Sequence, residues 1–165
     1  MPLEQTRRSR LLSRVMNERV TRGVRAGLVT AAATAGALVG LGIRHEAAGA
    51  PFLNSGQATV GALTGAAAPA LVAIAVGVLL HTGWMVLWGV CFSVVAAPLR
   101  GLRLVGAAML FAALLGVLAT TVLPSALGAG AVAPLTRPQL VFFALLIALS
   151  LAAGMRIARV GTAER

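Results

Sequence analysis

Apolar residues gather into four long runs, and almost all formal charge falls between them. The longest run, residues 69–97, carries no charged residue and as a helix exceeds the ~20 residues that a bilayer crossing needs. Pro69 suits its first turn and Pro98 stops it. Residues 26–43 form a shorter run, rich in Ala, Gly and Thr. Residues 102–123 follow a very short turn and end at Pro124, and residues 139–157 close at Arg156 and Arg159. No strand alternation competes with this pattern. The runs predict an all-α polytopic membrane protein, four transmembrane helices in an antiparallel bundle spanning 26–158 with a short tail after it.

Within the runs small residues recur at spacing four, as in Gly36/Gly40, Gly23/Gly27/Ala31/Ala35, Ala108/Ala112/Gly116/Thr120 and Ala144/Ala148/Ala152. Such stripes let helix backbones approach closely in lipid, without naming a partner. Residues 44–68 make the longest connection. Asn54 or Ser55 is placed to cap a short helix over Gln57–Leu63. That helix either lies in the interface or dips inward as a re-entrant element, whose irregular backbone would need shielding. Ala48-Gly49-Ala50 resembles a signal-peptide cleavage site, but Pro51 after it and the long Arg-rich leader favour an uncleaved first helix.

Residues 1–25 hold seven Arg against two Glu, with Leu12, Met16, Val20 and Val24 at spacing four. One reading is a basic amphipathic helix lying on an anionic membrane surface; the other is a disordered basic tail. With four crossings, twelve of the fourteen Arg fall on one side, and only Arg44 and Arg137 on the other. The positive-inside rule then places both termini in the cytoplasm.

Composition narrows the chemistry. A hydrophobic fraction of 59% and a mean hydropathy of +0.93 lie beyond the soluble range. The net charge of +10 comes from Arg outside the runs, so anionic lipid is the expected partner and nucleic acid is not. Cys91 stands alone, which excludes an internal disulfide and a CxxC pair. There is no Asp or Tyr, and the four Glu all lie outside the apolar runs. Paired-carboxylate catalysis has no residues to use, so no enzyme activity, cofactor or metal site is expected.

His81 is the exception, an ionisable side chain within ~6 Å of the midplane of the second helix. Met85, Trp88 and Phe92 share its face. At its level fall Thr30, Thr34, Thr120, Thr121 and Ser150, nearly the only hydroxyls an imidazole there could meet. His81 reads either as a packing hydrogen bond between helices or as a functional group: a proton carrier, a substrate contact, or a haem or metal ligand. The order of a small-residue first helix, then Pro51-Phe52-x-Asn54, then His81 with Trp88-Gly89, resembles small four-helix inner-membrane proteins of bacteria of the YagU type. That resemblance implies a bacterial inner-membrane location and no established activity. The expected role is a non-enzymatic membrane component, packing with itself as a homo-oligomer or within a larger complex. The alternatives are a small transporter or channel lined by His81 and the hydroxyls, and a haem-binding redox subunit.

Overall fold

The computed structural model describes residues 2–44, 48–121 and 135–163, all of its regular structure being helical. The helices are α1 (Pro2–Arg44), α2 (Ala50–Thr64), α3 (Ala70–Ala96), α4 (Gly101–Thr121) and α5 (Arg137–Ala163). Four of them are long and apolar enough to cross a membrane, over Ser13–Arg44, Ala70–Ala96, Gly101–Leu118 and Arg137–Ala158. This fits a multi-pass membrane protein. Both ends of α3 and the start of α4 fall within a residue of the positions read from the sequence.

Two elements differ from expectation. The basic stretch 1–25 is not a separate segment, because α1 runs unbroken for 43 residues, about 64 Å. The physical reason is cooperativity. Once the apolar half is helical, each added residue gains a hydrogen bond without a new nucleus, and no proline interrupts positions 3–44.

The short helix α2 starts at Ala50 instead of Gln57, so Asn54 and Ser55 sit inside it rather than capping it. Pro51, pre-set for the first helical turn, moves the start forward. The Ser55 hydroxyl donates back to the Phe52 carbonyl at 3.1 Å. Gly65, in the left-handed region at φ 70°, closes the helix with its N–H on the Gly61 carbonyl. Gln57 then clamps the turn into α3: its amide donates to the Ala68 carbonyl at 2.6 Å and accepts from the Ala68 N–H at 3.0 Å.

Helix α1 is the hub, packed between α3 and α5, while α2 lies on α3 and α4 on α5. Glycine sets these approaches. A Cβ on Gly27 would stand 2.5 Å from the Val86 Cα, and one on Gly154 2.6 Å from the Ala26 Cα. On α2 and α3, Gly56 meets the Ala73 backbone and Gly77 the Phe52 carbonyl. Hence α2 lies lengthwise along the first part of α3, its opening turn beside residues 77–81. The main buried cluster joins Ala26, Phe92 and Ala96 to Leu104, Ala108 and Ala112 of α4 and to Ala148, Leu151, Ala152 and Met155 of α5.

The small-residue stripes therefore divide. Gly23/Gly27/Ala31, Ala108/Ala112 and Ala148/Ala152 are covered. Gly36 and Gly40 face outward, and a Cβ on either would meet nothing within 4 Å.

Candidate functional site: a hydroxyl and imidazole seam

The threonines of α1 follow from their helical setting, where a Thr hydroxyl can bond to the carbonyl one turn earlier. Thr30 Oγ1 donates to the Ala26 carbonyl at 2.9 Å, and Thr34 Oγ1 to the Thr30 carbonyl at 2.7 Å. Both side chains are 1% exposed. Their spacing of four puts them on one face of α1, and each still has an oxygen lone pair to offer.

Neighbouring helices use those lone pairs. His81 Nε2 of α3 lies 2.9 Å from Thr34 Oγ1. With its proton directed at the Thr30 carbonyl, the Thr34 oxygen can accept from the imidazole when Nε2 carries the proton. On the other side, Ser150 Oγ of α5 sits 3.1 Å from Thr30 Oγ1 and 3.1 Å from its own Ile147 carbonyl. One seam thus ties α3 to α1 to α5. Of the residues singled out in the sequence, it brings together His81, Thr34, Thr30 and Ser150, while the side chains of Thr120 and Thr121 lie outside the described residues.

The imidazole and Phe52, from the first turn of α2, pack in a T-shape, with ring centroids 5.6 Å apart and planes at 77°. Below it an aromatic ladder runs from Trp84 to Trp88 to Phe111 to Phe92, at centroid separations of 5.3, 5.8 and 5.3 Å. Because the α3 and α4 backbones meet at few places, these rings carry much of the contact between them. Trp88 Nε1 is shielded and has no hydrogen-bond partner.

The Thr30 and Thr34 hydroxyls end on backbone carbonyls, which cannot relay a proton. Among the described hydroxyls, Thr30, Thr34 and Ser150 are at most 7% exposed. A cavity of about 370 Å³ lies instead on the outer face of α3, between Val76, Leu79, Leu80, Gly83, Trp84 and Leu87. Haem does not fit these residues. Ligation at Nε2 would break the Thr34 bond, Phe52 crowds the ring, and no group of three His, Cys, Asp or Glu gathers among the described residues. Comparison with protein-family models, with curated proteins and with solved structures finds no match for this chain.

Sequence reasoning missed three contacts here. Phe52 was legible only as part of a loop motif. The Gln57 clamp joins residues eleven apart through a turn that has no sequence signature. Ser93 donates to the Arg19 carbonyl at 2.8 Å, a second hydroxyl tie between α3 and α1. Its signal was present, a small polar residue one turn from Gly89 on the same face.

Proposed function

We propose that the chain is a non-enzymatic structural component of a bacterial inner membrane, an antiparallel four-helix bundle with both termini cytoplasmic that assembles with further copies of itself. One observation carries the reading. Thr30, Thr34, Ser150, Ser93 and His81 are engaged inside the bundle as helix ties, while the hub helix leaves Ala32, Gly36 and Gly40 exposed at spacing four. In lipid, apolar surface alone gives helices no reason to associate, and small residues at this spacing supply the close backbone contact that does. A transport reading would want the hydroxyls on an accessible surface, and their burial withdraws that support.

The open stripe makes a clean experiment, because side chains added at Gly36 and Gly40 touch nothing within the chain. Gly36→Ile with Gly40→Ile should leave the monomer folded and lower self-association in an in-membrane dimerisation assay by about tenfold or more. In a Cys91→Ser background, Gly36→Cys should crosslink between copies on mild oxidation. Unchanged association in the double variant, together with no crosslink, would rule the reading out.

A further inference from the structure

The end of the bundle near Arg19 carries arginines from three separate parts of the chain. Along the α1–α5 seam, Ala26 meets Gly154 and Thr30 meets Ser150, so one turn further Arg22 falls level with Ala158. Along the α4–α5 seam, Leu104 shares the buried cluster with Met155, which puts Arg100 and Arg103 at the same end as Arg156. Arg19 stands there too, its carbonyl held by Ser93 of α3. Against these five guanidinium groups, Glu18 is the one carboxylate among the described side chains.

Arg22 is only partly satisfied. Its side chain is only 24% exposed, and Nη2 bonds to Glu18 Oε2 at 3.0 Å. Glu18 is itself 62% exposed, and Arg22 Nε is shielded from solvent with no acceptor. A buried N–H without an acceptor is costly, and one on a guanidinium most of all. The group that satisfies a guanidinium fork is a planar or tetrahedral oxyanion. Here Arg22 lies toward the start of the first candidate span, Ser13–Arg44, so the oxyanion at hand is a lipid headgroup.

We infer that Arg22, at the bundle end that also carries Arg19, Arg100, Arg103 and Arg156, binds the phosphodiester of an anionic phospholipid at the inner end of the α1–α5 seam. This is a site built by tertiary packing rather than a general attraction of the basic leader. It does not depend on self-assembly. Arg22 turns its fork outward onto the phosphate, releasing Glu18 to solvent.

Native mass spectrometry of the full chain in detergent, titrated with phosphatidylglycerol or phosphatidylcholine, tests it. Phosphatidylglycerol should bind preferentially. Arg22→Gln should weaken it about fivefold, as expected for one lost cation at the surface. Glu18→Gln, which removes the competing carboxylate, should strengthen it by a similar factor and keeps the test alive if Arg22→Gln folds poorly. Deleting residues 2–12 should leave the preference within about twofold. Inorganic phosphate at the lipid concentration should not displace the lipid. Loss of the preference on that deletion, its persistence in full in Arg22→Gln, no gain in Glu18→Gln, or displacement by inorganic phosphate would each overturn the inference.

Discussion

The Thr34–His81 contact shows how a costly residue is made tolerable inside an apolar run. A neutral imidazole has one donor and one acceptor, and Thr34 Oγ1, 2.9 Å from Nε2, meets one of them while bonding to the Thr30 carbonyl. Interhelical hydrogen bonds of this type average ~0.6 kcal/mol and reach ~1.7. Thr34→Val and His81→Leu should therefore each be mildly destabilising, and a double-mutant cycle should return a coupling in that range when unfolding is followed in detergent. A coupling indistinguishable from zero would mean that the 2.9 Å contact adds nothing to stability.

At the level of elements, glycine decides which helix faces are closed and which stay available. Gly27 and Gly36 both lie on α1, nine residues apart, and composition cannot tell them apart. Gly27 sits under Val86 with no room for a methyl, whereas Gly36 looks into open space. Gly27→Leu should thus force α1 and α3 apart, at a cost beyond the ~1–3 kcal/mol of ordinary overpacking, because the obstacle is backbone. Gly36→Leu should leave the unfolding midpoint of the monomer within error. Thermal scans of the two variants side by side check this, and equal destabilisation would contradict the packing of α1 described above.

On the scale of the whole molecule, α1 acts as a mast. Its apolar part binds α3 and α5, and its basic part continues the same helix beyond them. The excess of Arg at that end sets the expected orientation in the membrane. Reporter fusions after residues 55, 99 and 130 should give an external signal at 55 and 130 and a cytoplasmic one at 99. An external signal at 99 would invert the topology, and with it the cytoplasmic placement of the arginine cluster.

The sequence by itself determined the number of helices long and apolar enough to cross a membrane, and the limits of α3. Uncharged runs of sufficient length have no other low-energy structure in lipid, and Pro69 and Pro98 bracket α3 locally. It also confined the polar candidates, since few hydroxyls share the level of His81. What only the tertiary structure decided was pairing. Whether Gly27 or Gly36 is covered, and whether Thr34 or another hydroxyl meets the imidazole, depends on which neighbour lies across each seam. Spacing-four patterns occur on several faces at once and leave that open. Helix α2 is the clearest case: its start is local, set by Pro51, but its position beside His81 comes from Gly56 and Gly77 admitting backbone contact with α3. Periodicity along one helix describes its own faces; only packing against a second helix selects among them.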